Sequence, residues 1–259
     1  MSGTAEFDWD PGTYHRFRGH RLRPALDLLR AVPPLSEGGI ADLGCGSGAA
    51  GPALAQLNRP LTGVDKSEAM LAQARHCGVY GRLDQADIAG WAPDEKLALI
   101  YSNAALHWVP DHAALLPRLA GYLVPGGVLA IQMPHQNNAP SHRLWRDLAE
   151  ELFPEAMAER LPQPGVLLPA EYHRLLLPLG QVSLWETEYY QDLAPDGEGH
   201  PVRRFTEATY ARPILARLND SQRATLIATY ERVIDKAYPA HDDGRVLFPL
   251  RRLFITLAV

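Results

Sequence analysis

The feature of this sequence that most constrains its fold is a short apolar run that ends in an acid and then in alternating glycines. The run reads Ile40-Ala41-Asp42-Leu43-Gly44-Cys45-Gly46-Ser47-Gly48. A strand that breaks into a glycine-rich turn lets a ligand lie against bare backbone, which any Cβ would obstruct. The segment therefore predicts a strand, a turn and a following helix that together form one wall of a binding site.

A second apolar run, from Leu61 to Val64, ends in Asp65, seventeen residues after Gly48. A crossover helix brings the ends of successive parallel strands side by side. We therefore expect Asp65 to lie beside the glycine turn, where its carboxylate can accept hydrogen bonds from ribose hydroxyls. The two segments together predict a pocket for a nucleoside.

The glycines are compatible with more than one nucleoside. Residues Gly46 to Gly51 match the dinucleotide pattern G-x-G-x-x-G literally. The spacing of Gly44, Gly46 and Gly48 behind Asp42 instead resembles motif I of the class I S-adenosylmethionine-dependent methyltransferases, which implies S-adenosyl-L-methionine as the cofactor. A nicotinamide or flavin site and a purely structural turn are the alternatives. The chain has no Tyr-x-x-x-Lys pair, which speaks against one common type of dehydrogenase.

Composition excludes several classes of partner. The formal net charge of −5 disfavours nonspecific binding to nucleic acid, and no run approaches the roughly 18 apolar residues of a membrane span. The two cysteines, Cys45 and Cys77, offer no metal-ligand spacing, so no metal is predicted. The N-terminal residues lack a signal-peptide pattern. We expect a cytoplasmic protein, either a monomer or a weak homodimer.

Apolar runs alternate with helical patterns along the chain, which predicts an α/β fold with a doubly wound, mostly parallel, Rossmann-like sheet of seven strands. The predicted strands are Gly39–Asp42, Leu61–Asp65, Arg82–Gln85, Leu97–Asn103, Val128–Met133, Val182–Tyr190 and Leu253–Ala258. The predicted helices include Arg21–Ala31, Glu68–Arg75 behind the cap Ser67, a helix begun by Asp111, Ser141–Leu152, Phe205–Leu218 and Ser221–Tyr238.

We expect one compact domain in two parts. Residues 1–134 would form an N-terminal helix and the cofactor-binding half, and residues 135–259 the remainder of the sheet. Long insertions inside a sheet edge are usually functional, so segments of about 141–165 and 195–245 are predicted to form a helical lid over the strand ends. The alternative is that they cover the back of the sheet.

The residues just after the third and fourth strands fit a nucleoside site, because ligands of open parallel sheets bind beyond the carboxyl ends of the strands. Asp87 can accept a hydrogen bond from an adenine amino group while Ile88 covers the ring. After Asn103, small residues such as Ala104 would leave room for a sulfonium group. As an alternative, either acid, Asp65 or Asp87, could serve only as a helix cap.

Several segments spread over nearly the whole chain resemble the trans-aconitate 2-methyltransferases, a family of class I methyltransferases. They are Asp8–Tyr14, Arg21–Pro24, Ala41–Gly48, Thr62–Asp65, Ala86–Ile88, Ser102–His112, Gly126–Pro134, Trp185–Tyr190, Ala211–Pro213, Asp243–Arg245 and Arg252–Phe254. The resemblance implies transfer of a methyl group from S-adenosyl-L-methionine to a carboxylate oxygen of trans-aconitate, giving a monomethyl ester and S-adenosylhomocysteine. The partner is then a small di- or tricarboxylate.

The site residues follow from the motifs and the resemblance. The predicted cofactor-binding residues are Asp42, Gly44, Gly46, Gly48, Asp65, Lys66, Met70, Asp87, Ile88, Asn103 and Ala104. A carboxylate is already an anion at neutral pH, so no acid or base catalyst is expected, and Tyr14 is predicted to help position the reacting groups. Cationic forks suit a tricarboxylate, which makes Arg21, Arg212 and Arg252 substrate-binding candidates, with Trp108 framing the pocket.

Two rival functions stay open at this stage. One is a small-molecule methyltransferase that acts on a different acceptor. The other is a protein that binds the cofactor without catalysis. A hydroxyl acceptor would need a positioned base, so the two kinds of methyl acceptor differ in the pH dependence of their rates.

Overall fold

A computed structural model describes residues 18–159 and 165–259. Tyr14 lies outside the described residues, and so does the side chain of Arg21. The described helices are α1 (Arg18–Arg30), α2 (Gly51–Leu54), α3 (Glu68–Arg75), α4 (His112–Ala120), α5 (Pro140–Leu152), α6 (Pro169–Leu176), α7 (Pro201–Glu207), α8 (Arg212–Leu215) and α9 (Asp220–Ala237). The strands are β1 (Gly39–Leu43), β2 (Leu61–Asp65), β3 (Arg82–Gln85), β4 (Leu97–Asn103), β5 (Leu123–Pro134), β6 (Gln181–Leu193) and β7 (Val246–Ala258).

The strands form one seven-stranded sheet in the order β3-β2-β1-β4-β5-β7-β6. Strands β3, β2, β1, β4 and β5 pair in parallel. Strand β7 runs antiparallel to β5, because Gly126 bonds to Val259 at one end while His135 bonds to Arg251 at the other. The predicted doubly wound, mostly parallel sheet of seven strands is confirmed. Its order reverses between β1 and β4, which is where ligands bind in such sheets.

Local signals account for most helix starts. The Ser67 hydroxyl accepts a hydrogen bond from the Met70 amide, and the Asp111 carboxylate accepts one from Ala114, so both predicted caps are confirmed. The prediction of one helix over Phe205–Leu218 is wrong. The structure has two short helices there, α7 and α8, and Pro213 in the first turn of α8 explains the new start.

The chain divides into two compact units, which we call the core unit and the second unit. The core unit contains the described residues up to Met133, Gly165–Glu186 and Leu253–Val259; the second unit contains residues 134–159 and Thr187–Arg252. Each has its own apolar cluster, built around residues such as Leu43, Ile100 and Leu116 in the core unit and around Trp145 and Phe248 in the second. The described residues of the predicted lid segments, apart from Gly165, fall in the second unit.

Among the helices that the structure describes, none is both long enough and apolar enough to span a lipid bilayer.

Candidate functional site

The turn after β1 contains three glycines, which the structure requires for reasons that are only partly the same. Gly44, Gly46 and Gly48 all have positive φ, at 72°, 54° and 81°. A Cβ on Gly44 would come within 2.1 Å of the Ala105 Cβ, whereas a Cβ on Gly46 would meet no atom within 4 Å. The protein's own packing therefore requires glycine at position 44. At position 46 the backbone borders open space, which is where a ligand can approach the chain.

Asp65 ends β2 and holds this turn in place. Its Oδ2 accepts a hydrogen bond of 2.9 Å from the Gly46 amide, and its Oδ1 accepts one of 2.9 Å from the Ser67 amide. An ionised carboxylate offers about four acceptor positions. Asp65 therefore shapes the turn and keeps capacity to accept further hydrogen bonds, as the sequence analysis expects of a residue beside the glycines.

Asp42 lies behind the turn and is only 2% exposed. Its Oδ2 accepts a hydrogen bond of 2.7 Å from the Tyr80 hydroxyl. Burial raises the pKa of Asp42 to about 7, against the Tyr80 hydrogen bond, which lowers it, while the charge of Asp65 raises it further. In this arrangement Asp42 supports the glycine turn through Tyr80.

Tyr80 is a residue of the site that the sequence analysis missed. An added Cβ on Gly48, Gly51 or Gly63 would come within about 3.1 Å or less of the Tyr80 ring, so the ring occupies the space that these three glycines leave. Burial raises the pKa of its hydroxyl, so Tyr80 stays protonated and donates to Asp42. Gly63 inside a strand is the signal that could have pointed to a close approach, although not to its partner.

The predicted residues after β2 and β3 are arranged as follows. Asp87 is exposed and its Oδ1 accepts a hydrogen bond of 2.8 Å from the Ala89 amide, while Ile88 is buried. Lys66 is exposed and Met70 is buried in the first turn of α3. Ile88 also borders the turn, since a Cβ on Gly44 would lie 3.6 Å from its Cδ1. The core unit therefore contains, besides the glycine turn, the carboxylate of Asp87 and the apolar side chains of Ile88 and Met70.

The ends of β4 and β5 carry buried polar atoms that have no hydrogen-bond partner among the described residues. Asn103 and Gln132 face each other in the register of the two strands, and the Ala104 amide, at φ 54°, donates to the Gln132 carbonyl. Gln132 is 1% exposed, yet neither its side-chain oxygen nor its nitrogen has a hydrogen-bond partner in the part of the chain described, and the same is true of the Asn103 Oδ1. Buried polar atoms are nearly always paired in proteins, so these amides suit a polar ligand or ordered water. Gln132 is not among the residues predicted from the sequence.

The predicted substrate residues are distributed over both units. Trp108 is 62% exposed in a short helical turn of the core unit, with its ring 4.6 Å from the His107 ring. Arg212 is exposed at the start of α8, and Arg252 is half-buried in β7; both belong to the second unit.

Comparison with known proteins relates the chain to methyltransferases. A family model described as "Methyltransferase domain" matches residues 41–131. The trans-aconitate 2-methyltransferase of Variovorax paradoxus (strain S110) is 42% identical over 256 residues, covering 96% of this chain and 97% of that protein. The protein of the same name from Paracidovorax citrulli (strain AAC00-1) is 40% identical over 258 residues, with coverages of 96% and 97%.

A solved structure with a similar fold is that of the YcgJ protein from Bacillus subtilis. It superposes with a TM-score of 0.58 at 16% identity, over 92% of this chain and 98% of that one. At this level of identity the likeness concerns the fold.

Proposed function

This chain belongs to the trans-aconitate 2-methyltransferase family and is an S-adenosylmethionine-dependent methyltransferase, and from that premise we propose that it forms a monomethyl ester of trans-aconitate with S-adenosylhomocysteine as the second product. The observation that carries the proposal is identity of about 40% over almost the full length of both chains. We further propose a cytoplasmic location, since Cys45 and Cys77 are both free thiols, as is usual in a reducing compartment.

The residues around the glycine turn fit the chemical groups of S-adenosyl-L-methionine. Asp65 keeps acceptor capacity for ribose hydroxyls, and Asp87 for the adenine amino group, with Ile88 and Met70 as apolar cover. The open space beside Gly46 suits the methionine part, and so does the amide oxygen of Asn103, which no described residue hydrogen-bonds. The remaining residues assigned to this cofactor are Asp42, Gly44, Gly48, Lys66 and Ala104. When bound, the cofactor supplies a methyl group on a positively charged sulfur.

The acceptor needs no base from the protein. A carboxylic acid has a pKa near 4, so it is an anion at neutral pH and already a nucleophile. His112 is not free to act as a general base, because both ring nitrogens are hydrogen-bonded within the protein. Its Nδ1 bonds to the Tyr172 hydroxyl and its Nε2 to the Leu106 carbonyl. Burial lowers the pKa of His112 as well. The protein's task is to align the acceptor oxygen with the methyl carbon, with Tyr14 proposed to help position them.

Charge complementarity assigns the arginines to the acceptor. A bidentate contact between a guanidinium and a carboxylate supplies both attraction and orientation. We propose that Arg21, Arg212 and Arg252 bind carboxylates of the acid and that Trp108 frames its pocket. The acceptor is a small di- or tricarboxylate, nucleic acid is not a partner, and the protein acts as a monomer or weak homodimer.

The test is methyl transfer from labelled S-adenosyl-L-methionine to a panel of trans-aconitate, cis-aconitate, citrate, isocitrate and simple monoacids, with the ester identified by mass. We expect the monomethyl ester of trans-aconitate to form in preference to the others. If another acid is esterified in preference, that acid and not trans-aconitate is the substrate. Binding of the cofactor without methylation of any acid would refute the carboxylate acceptor.

A further inference from the structure

The second unit contains two arginines close to one histidine. His142 and Arg146 are four residues apart on α5, so they lie on the same face of the helix. Arg252 is on β7. Burial, and then the positive charges of Arg146 and Arg252, lower the pKa of His142 to about 4. His142 is therefore uncharged at neutral pH, and the two guanidinium groups are the charges that act on it; the carboxylates of Asp147 and Glu150 act on the neighbouring Tyr210.

Tyr210 completes this cluster. Its ring lies 4.3 Å from the His142 ring, at an interplanar angle of 47°. Arg146 donates from Nη1 to the Tyr210 hydroxyl at 3.3 Å, and the Ser141 hydroxyl lies 3.0 Å from the Nδ1 of His142. Burial raises the pKa of Tyr210, so the hydroxyl keeps its hydrogen. Within residues 18–159 and 165–259 this hydrogen has no acceptor, so it is available to an anion.

Arg146 differs from the next arginine on the same helix. Arg143 is exposed and pairs with Asp147 at 3.6 Å. Arg146 is half-buried, and none of the described carboxylates lies within 4.0 Å of its guanidinium. A charge that is partly removed from water is costly unless a counter-charge accompanies it. The position of Arg146 therefore suits a group that binds an anion.

We propose that Arg146, Arg252 and Tyr210 form a carboxylate-binding site for the acceptor acid, with His142 as the neutral side chain between them; this inference rests on the proposed function. Arg252 is a substrate residue that the sequence predicts, whereas Arg146 and Tyr210 are new. A carboxylate whose lone pairs are engaged by guanidinium groups and a hydroxyl is a poor nucleophile. The site therefore holds a carboxylate that is not methylated, which selects acids with at least two carboxylates.

The first experiment compares Arg146→Gln with Arg143→Gln as a matched control on the same helix. We expect Arg146→Gln to raise KM for trans-aconitate roughly 10- to 100-fold, as for the loss of charge-assisted hydrogen bonds, while KM for S-adenosyl-L-methionine stays unchanged. Arg146→Lys keeps the charge and should recover part of the loss. Arg143→Gln should leave both constants unchanged. Equal changes in both constants, or no change in either, would overturn the inference.

The second experiment removes the carboxylates from the acid one at a time. Itaconate, mesaconate and glutaconate each lack one of the three carboxylates of trans-aconitate. With the unaltered protein, one of the three acids should have a kcat/KM lower than that of trans-aconitate by the same factor by which Arg146→Gln lowers kcat/KM for trans-aconitate. For that acid, Arg146→Gln should lower kcat/KM little further. If Arg146→Gln lowers kcat/KM for all three acids by the same factor as for trans-aconitate, Arg146 does not contact a carboxylate directly.

The failure of this inference and that of the proposed function are distinguishable. If the unaltered protein esterifies trans-aconitate but Arg146→Gln, folded by circular dichroism, has the same KM, only the site at Arg146 is refuted. If no acid is esterified, calorimetric titration of trans-aconitate into both proteins with S-adenosylhomocysteine present tests the site alone. Weaker binding by the variant supports it, and equal binding or none by the unaltered protein overturns it.

Discussion

Asp42 and Tyr80 show how one buried carboxylate and one half-buried ring support the glycine turn. The carboxylate is almost completely buried and its one hydrogen bond among the described residues comes from the Tyr80 hydroxyl. The same ring fills the space beside Gly48, Gly51 and Gly63. The pair therefore connects the end of β1 to the turn and to β2, and the protonation of Asp42 is coupled to the stability of this region.

The raised pKa of Asp42 predicts that the free energy of unfolding depends on pH. The pKa is about 7 in the folded protein and 3.8 ordinarily, so the folded state holds the proton more tightly than the unfolded chain. The stabilising contribution is fully present below about pH 4 and is lost as the pH rises to about 7. The three-unit difference corresponds to about 4 kcal/mol at most.

Asp42→Asn keeps an acceptor for Tyr80 but does not titrate. We expect its free energy of unfolding, relative to that of the unaltered protein, to increase between pH 5 and pH 8, as measured by urea unfolding. Tyr80→Phe removes the donor that lowers the pKa of Asp42, so in that background the increase should move to higher pH. A difference that does not vary with pH would show that Asp42 titrates normally.

At the scale of elements, the glycine turn separates two requirements, one of packing and one of ligand space. Gly44→Ala and Gly46→Ala share the strain of a left-handed residue, about 1–2 kcal/mol each. Only the first also forces a Cβ to within 2.1 Å of Ala105. We expect Gly44→Ala to lower the midpoint of thermal unfolding strongly, and Gly46→Ala to lower it modestly while weakening binding of S-adenosylhomocysteine in calorimetry. Tight binding by a folded Gly46→Ala protein would mean that no ligand approaches this position.

The order and type of the strands could be predicted because their signals are local. Strands β1, β2 and β4 are short apolar runs with a turn or helix signal after each, and the predicted and observed limits of the first four strands differ by one residue at most. The predicted start of the fifth strand at Val128 is wrong, because β5 begins at Leu123. Gly126 and Gly127 belong to β5 because both bond to Val259 at the far end of β7, a pairing that no local pattern contains.

The same distinction applies to the site. The glycine turn and Asp65 are near each other in sequence, and the parallel crossover predicts that they lie side by side; the structure adds the hydrogen bond between Asp65 and the Gly46 amide. Tyr80 and Arg146 were missed because their partners, Asp42 and Tyr210, are 38 and 64 residues away. Gln132 was missed for a related reason: in the sequence it is one polar residue in an apolar strand, and its missing partner appears only when the fold is known.

At the scale of the whole molecule, charge opposes the proposed substrate. The chain has a formal net charge of −5, so an acid with three carboxylates is repelled at long range and must be attracted by local groups. The described residues proposed to bind the cofactor lie in the core unit, whereas Arg146, Arg212 and Arg252 belong to the second unit. The residues proposed for the cofactor therefore share the core unit with Trp108, whereas these three arginines of the proposed acid site belong to the second unit.

This division predicts the effect of Arg212→Ala. Because Arg212 is exposed, its attraction for the acid should be screened by salt, with a Debye length of about 10 Å at 0.1 M. We expect the variant to raise KM for trans-aconitate more than KM for S-adenosyl-L-methionine, and the difference from the unaltered protein to shrink as salt increases. Arg232→Ala, an exposed arginine of α9 in the same unit, is the control and should change neither constant. If Arg212→Ala raises both constants equally and independently of salt, then Arg212 acts by stabilising the second unit and the acid owes its binding to the half-buried arginines.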